Sequence, residues 1–483
     1  MIKKLIEFVN NNKNLILLLI LSFLIRFIFI FKDLPFITHP DEPTVVNSTL
    51  NLKYDLNPRH FDWPTFYYYI NYLFFSILYF IERLMNRIGH PFPSIVATEN
   101  FYLLSRIITC VFGSLSVLFM YLLVLNLTNK KSVGLISAII LSIIPFHITR
   151  SAQSLTDVPM LFFIITSLYY LSRNVNEFKW KNIYLSSFFI GLAVSTKYNG
   201  YMFALSPIFF IFLIKRFSLK DISNYLYCIL LASLGFFIGT PYALIDYKTF
   251  LRDDGPKGAL WQFKNVGSLG YFEHFSSFIS NLEYSLLPDF AFVPWVLGLV
   301  FILYFLFQSK FRFKDNYSKF IFILILQFFF IIWSVSGVKI QRSHYFIGAY
   351  ALVPIFAGLL ISKNEKLLNG SLFSTFILSL YLLSFNMFSN SKVEFYQRVV
   401  FKNDLKNYNI LYTDSELEEV FRKLNVKSDE FDPNIMDFNP KYFTHIVSSQ
   451  NLCVENHECN YNLIEKIVNV EKGTDLFIYE IKK

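Results

Sequence analysis

Apolar residues in this chain collect into long runs instead of alternating with polar ones. The runs fall at roughly 14–31, 66–81, 102–126, 133–149, 158–172, 182–197, 200–214, 225–240, 290–308, 319–336, 345–361 and 369–388, mostly separated by short polar connections. About 17–25 apolar residues are the length a helix needs to cross a bilayer. The pattern therefore predicts a polytopic α-helical membrane domain over residues 1–390. Residues 391–483 follow another pattern. Asn407 to Thr413 and Tyr442 to Ser448 read as strands, Ser415 to Leu424 as an amphipathic helix, and Ile467 to Ile481 as a hairpin turning at Lys472-Gly473. They predict a small C-terminal α/β domain outside the membrane.

Orientation follows from the short basic loops, which mark the cytoplasmic side. These are Lys3 with Lys4, Lys130-Lys131, Arg173 with Lys179 and Lys181, Lys215-Arg216 with Lys220, Lys310 to Lys319, and Lys363 with Lys366. If 66–81 crossed the membrane, every cluster from Lys130 onward would lie opposite Lys3 and Lys4. If it lies in the interface, all of them fall inside. The segment opens on Asp62-Trp63-Pro64, is rich in Tyr and ends in Glu82-Arg83, which suits the headgroup level. The expectation is about eleven spans, a cytoplasmic N-terminus and an extracytoplasmic C-terminal domain. The first outer loop, 32–101, would carry juxtamembrane helices, and a second long outer loop would run over 241–289. Lys3, Lys4 and Lys13 ahead of an apolar core resemble a signal peptide, but that core is long and no small-residue cleavage site follows. It reads as a retained span of a multi-pass plasma-membrane protein.

Composition agrees with this picture. Hydrophobic residues make up 54% of the chain and charged ones 16%, against about 25% charged in a soluble domain. The net charge of +9 sits mostly in the loop clusters, so it signals topology and not nucleic-acid binding, and membrane lipids are the expected surroundings. Cys110 and Cys228 fall in spans, as packing residues. Cys453 and Cys459 lie on the oxidising side and are compatible with a short-loop disulfide or with two free thiols. Walker A, G-x-G-x-x-G, H-E-x-x-H and G-x-S-x-G motifs are absent. That argues against nucleotide-driven transport, a dinucleotide cofactor, a zincin protease and a serine esterase.

With 66–81 in the interface, His39, Asp41, Glu42, Arg59, Asp157, Lys197, the 241–289 loop and Arg342-Ser343-His344-Tyr345 all face outward, although none of them set the orientation. Ionisable groups at the mouths of spans are functional candidates. Asp41-Glu42 can instead be a helix start, since acids favour that end. Successive residues on a helix point about 100° apart, so one of the pair can face a reacting centre while the other caps, holds a metal or orients its neighbour. Asp157, ahead of Pro159 and after Arg150, reads as a site acid or a helix start. Lys197 runs against the positive-inside trend and suits either a phosphate partner or snorkelling to the interface. Arg342 can hold a phosphate in a bidentate fork or anchor the interface. Arg252, Lys257, Glu273 and His274 are weaker candidates. His39, His274 and His344 match no specific metal spacing.

In their order along the chain, these residues resemble the polyprenyl-phosphate-dependent GT-C glycosyltransferases, the group of the protein O-mannosyltransferases and the lipid A aminoarabinose transferases. The resemblance rests on His39-Pro-Asp-Glu-Pro43, Trp63-Pro64, Asp157, Thr196-Lys197-Tyr-Asn-Gly200, Gly239-Thr-Pro241 and Arg342-x-x-Tyr345, and it covers roughly the first 360 residues. It implies a GT-C fold and an inverting transferase at the extracytoplasmic face. The donor would be a polyprenyl-phosphate-linked sugar and the acceptor a lipid, glycan or protein. Asp41 would be the catalytic carboxylate, assisted by Asp157 and flanked by Glu42, with Lys197 and Arg342 on the phosphate. Some relatives place a basic residue where Trp63 stands, so Arg59, upstream, is the substitute phosphate ligand. The donor's own phosphate is the leaving group, so no nucleotide is needed. A divalent metal is compatible with the chemistry, with Asp41, Glu42 and His344 as its candidate ligands. The competing expectations are a transporter or flippase of lipid-linked sugars, and a scaffold presenting the C-terminal domain.

Overall fold

The computed structural model describes residues 12–32, 39, 41–84, 98–255, 257–286 and 292–363, together with five strands between 409 and 481. The chain divides into two units, one built from the N-terminal helix and residues 40–387, the other carrying residues 388–483.

The helical unit contains α1 (Lys13–Phe29), α2 (Asp41–Asn51), α3 (Phe66–Leu84), α4 (Thr98–Thr128), α5 (Lys131–Ile143), α6 (Pro145–Ser151), α7 (Asp157–Ser172) and α8 (Trp180–Thr196). A continuous helical stretch follows over Tyr198–Lys215, opening as a 3-10 turn, passing through α9 (Leu205–Phe210) and closing as a π turn. Next come α10 (Ile222–Gly239), the short α11 (Tyr242–Ile245), α12 (Tyr247–Phe250), α13 (Ala259–Asn265) and α14 (Tyr271–Ser280), then α15 (Val293–Ser309), α16 (Asn316–Ser336) and α17 (Ala349–Ile361). Among the described residues, four helical stretches are long and apolar enough to cross a membrane: Asn100–Thr128, Tyr198–Lys215, Leu219–Gly239 and Asn316–Ser336. The run expected as one span at 133–149 is instead α5 and α6, bent by 65°. Pro145 lacks an N–H and pushes the preceding residue out of the α region, and Ile144 is extended, with ψ 120°. The last apolar run, 369–388, lies outside the described residues.

Side-chain contacts sort the helix ends into two groups. At one end, Arg106 of α4 donates to the carbonyls of Ile30 and Lys32, just past α1. Lys197, after α8, meets Asp157 at the start of α7. Thr240, after α10, meets Ser195 of α8 and the Thr65 amide ahead of α3. At the other end, Asn176 reaches the Asn126 carbonyl, Asn316 reaches the Val175 carbonyl, and Lys215 lies over Phe178. Since α1 finishes and α4 begins at the same end, the chain between them leaves that end and returns to it. The packing of α3 agrees: Tyr67 bonds to Ser105 and Thr109, and Phe75 meets Phe101.

Apolar side chains of α4, α5, α7, α8, α16 and α17 fill one continuous core. Helices α8 and α10 approach backbone to backbone. A Cβ on Gly191 would overlap the Ala232 carbonyl, and one on Gly235 the Phe188 carbonyl. Small residues at such seams are how membrane helices gain close packing.

The second unit holds a mixed five-stranded sheet in the order β2-β1-β3-β5-β4: β1 (Asn409–Tyr412), β2 (Lys427–Glu430), β3 (His445–Ser448), β4 (Tyr461–Ile467) and β5 (Leu476–Ile481). β1 pairs in parallel with β2 and β3, and β5 runs antiparallel to β3 and β4. The expected strands at 407–413 and 442–448 are β1 and β3. The hairpin differs from expectation, since its first arm ends at Ile467 instead of starting there. The edge strand β2, Lys-Ser-Asp-Glu, was not anticipated: it has no apolar alternation to betray it. The expected helix at 415–424 and Cys453 with Cys459 lie outside the described residues.

Candidate active site

The first turn of α2 begins with Asp41-Glu42, two acids at the positive end of the helix. Glu42 is wholly buried. Its Oε1 accepts from Arg106 Nε at 2.8 Å and from the Ser154 amide at 2.7 Å, and its Oε2 accepts from Arg106 Nη2 at 2.6 Å. Arg106 Nη1 meanwhile donates to the carbonyls of Ile30 and Lys32, both at 2.8 Å. This corrects the expectation for Glu42 as a catalytic group and as a metal candidate. Both of its oxygens are committed to a buried bidentate pair that ties α2 to α4, to the end of α1 and to the turn before α7.

Asp41, about 100° round the helix from Glu42, faces another way. It is half-buried, and its charge acts on the phenols of Tyr68 and Tyr345. Asp157, 3% exposed, opens α7, and its Oδ1 accepts from Lys197 Nζ at 2.6 Å. The charges of His344 and Arg150 also reach it. Lys197 follows the last residue of α8 in an extended conformation, which brings its ammonium 6.0 Å from the centre of the Tyr345 ring. Arg342 is exposed and precedes the 3-10 turn Ser343–Phe346, where the His344 and Tyr345 rings stand perpendicular with centres 4.6 Å apart. Its charge also acts on Tyr345. The Tyr345 ring thus stands beside Lys197 and His344, and the charges of Asp41, Asp157 and Arg342 act on its phenol.

Arg59 is not brought into this cluster. It is 71% exposed and paired with Asp55, whose carboxyl it holds below the ordinary carboxylate range, and it sits in a left-handed backbone conformation, φ 60°. Of the metal candidates, Asp41 and His344 remain once Glu42 is committed to Arg106. Among the described residues, no group of three or more His, Cys, Asp or Glu side chains is arranged to hold a metal ion.

Next to the cluster lies a cavity of about 230 Å³. Its lining includes Lys197, Thr156 and Tyr345 from the cluster side, and Asp62, Trp63 and Gln262 from the two long loops. Sequence reasoning did not single out Asp62 as a site residue. In the structure its Oδ1 bonds to His60 Nδ1 at 2.8 Å, and His60 Nε2 bonds to Ser48 Oγ of α2 at 2.9 Å. His-x-Asp matches no motif, and the flanking aromatics made the stretch look purely interfacial.

Residues 90–250 match the family model for dolichyl-phosphate-mannose-protein mannosyltransferases. The chain is similar to dolichyl-phosphate-mannose–protein mannosyltransferase 1 of Saccharomyces cerevisiae, with 27% identity over 168 residues. That match covers 32% of this chain and about one fifth, 20%, of the length of the yeast protein. Among solved structures, ArnT from Cupriavidus metallidurans bound to undecaprenyl phosphate aligns with a TM-score of 0.57 at 10% identity, covering 97% of this chain and 98% of that one. The Archaeoglobus fulgidus oligosaccharyltransferase in complex with Zn and sulfate aligns with a TM-score of 0.53 at 14% identity, covering 89% of this chain and 68% of that one. At such identities the structural likeness speaks to the fold alone, which this chain shares with those two proteins.

Proposed function

We propose that this chain is an integral-membrane glycosyltransferase that moves a sugar from a polyprenyl-phosphate donor to an acceptor hydroxyl at the extracytoplasmic face, with inversion. The observation that carries the reading is the convergence of Asp41, Asp157, Lys197 and Arg342 around Tyr345. The names of the matched family and of the yeast relative support a lipid-linked donor and make a protein hydroxyl the first acceptor to test, ahead of a glycan or lipid. The rival reading, a flippase or transporter, calls for charges midway along broken helices. Here the candidate groups stand at helix ends.

Each residue has a task in this reading. Asp41 takes the proton of the acceptor hydroxyl as its oxygen attacks the anomeric carbon. The bond from that carbon to the phosphate oxygen breaks, and polyprenyl phosphate leaves. Lys197 and Arg342 face the charge that grows on the departing phosphate. Asp157 holds Lys197 in place, because a buried carboxylate 2.6 Å from the ammonium fixes its direction. One displacement inverts the anomeric centre. Glu42 and Arg59 have no chemical task here.

Orientation is part of the proposal. The basic clusters around Arg173, Lys179 and Lys215 gather at the end of the bundle away from Asp157 and Lys197, and by the positive-inside rule this supports an outward-facing site. The C-terminal unit, whose chain follows the last apolar run, is then extracytoplasmic as well. The test is transfer of label from radiolabelled polyprenyl-phosphate sugars in proteoliposomes, with crude membrane and peptide acceptors. Asp41→Asn is expected to lower transfer by about 10²–10⁴-fold while donor still binds. Sensitivity to EDTA decides whether a divalent cation takes part. Label that stays on the carrier across the whole panel overturns the reading.

A further inference from the structure

Three polar groups line the 230 Å³ cavity beside Lys197 without a side-chain partner on record: the second oxygen of Asp62, the Asn199 amide and the Gln262 amide. Their hydrogen-bonding capacity is unused among the described residues. In the cavity wall the Thr156 hydroxyl is fully buried and also has no partner. Buried polar groups are normally paired, and unpaired ones call for an explanation. Trp63, Tyr198, Phe263 and Tyr345 supply apolar faces between them. Polar points spread over aromatic surface suit a sugar ring, whose hydroxyls are polar and whose C–H faces are not.

Asp62 is the built part of this wall. It is 20% exposed, and one oxygen is fixed by His60, itself held by Ser48. That string anchors the acid to α2, the helix that also carries Asp41. Asp62 lines the cavity, and its other oxygen keeps its acceptor capacity. A fixed carboxylate accepts hydrogen bonds from hydroxyls and repels a second carboxylate.

We propose that Asp62 is a specificity-determining residue for the donor sugar. It accepts a hydroxyl of a neutral sugar and excludes sugars that carry a carboxylate, and His60 is the positioning residue that sets its direction. The inference rests on the transferase reading above and adds which class of sugar the site accepts.

The experiment measures kcat and KM for matched polyprenyl-phosphate donors, a hexose and its 6-carboxylate counterpart, with the full chain in proteoliposomes. Wild type is expected to favour the hexose by at least about 100-fold in kcat/KM, in the range that hydrogen-bonding sites reach when a polar partner is mismatched. Asp62→Asn removes the charge and is expected to narrow that preference by about 10-fold or more, chiefly through KM. Asp62→Glu keeps the charge and should preserve it. His60→Gln should raise KM for the hexose and move the preference part of the way. Asp62→Ser, read in the same way, supplies the neutral variant if Asp62→Asn does not fold. A preference that is the same in wild type, the neutral variants and Asp62→Glu overturns the inference while leaving the transferase reading intact. No transfer by wild type from any donor overturns both.

Discussion

Glu42 and Asp41 are neighbours with opposite energetics. Removing Glu42 leaves Arg106 charged and unpaired where it is 3% exposed. Breaking a buried pair in this way costs about 3–5 kcal/mol. Glu42→Ala is therefore expected to lower the thermal midpoint in detergent sharply, with activity lost as a consequence, whereas Asp41→Asn should leave the midpoint at the wild-type value. A Glu42→Ala protein that unfolds with wild type would refute the structural role. Asp41, Asp157 and Lys197 were legible in the sequence because charged residues at the mouths of apolar runs are conspicuous. The pairing of Glu42 with Arg106 was not, since the partners are 64 residues apart and Arg106 stands inside an apolar run. Asp62 was hidden for a different reason: its importance lies in a fold-back to Ser48 that no local pattern encodes.

At the scale of elements, the tightest constraint is the seam between α8 and α10. Any side chain at Gly191 must push the Ala232 backbone away, since the nearest atoms are main chain and cannot rotate aside. Gly191→Val is expected to destabilise the protein by about 1–3 kcal/mol. Gly255→Ala, whose added Cβ would meet nothing within 4 Å, should be neutral. Thermal midpoints of the two variants against wild type check this, and equal midpoints would show that the seam can relax. Most helices were legible as apolar runs, with ends displaced by a few residues. The division of 133–149 was less so, because hydropathy continues smoothly across Pro145 while the backbone turns. The strands of the C-terminal unit were readable where apolar and polar residues alternate, and β2 was missed because every residue in it is polar.

For the molecule as a whole, the question of sides turns on α3. Its contacts are with the ends of α4, α8 and α10 that also carry the candidate site, so residues on either side of it should share a compartment. With native cysteines replaced, Tyr54→Cys and Arg83→Cys are both expected to react with a membrane-impermeant maleimide added to intact cells, and Lys130→Cys only after permeabilisation. Labelling of Arg83→Cys only after permeabilisation would mean that α3 crosses. The sequence reading, from loop charges alone, also expects α3 not to cross the membrane. It could not see that one guanidinium grips the end of α1 and Glu42 at the start of α2, while Glu42 in turn accepts from the Ser154 amide before α7. The proposed base, Asp41, stands one residue before the carboxylate that this guanidinium holds. Through Arg106 and Glu42 the end of α1 is linked to the residue beside Asp41, so a small tilt of α1 would be felt at the proposed base.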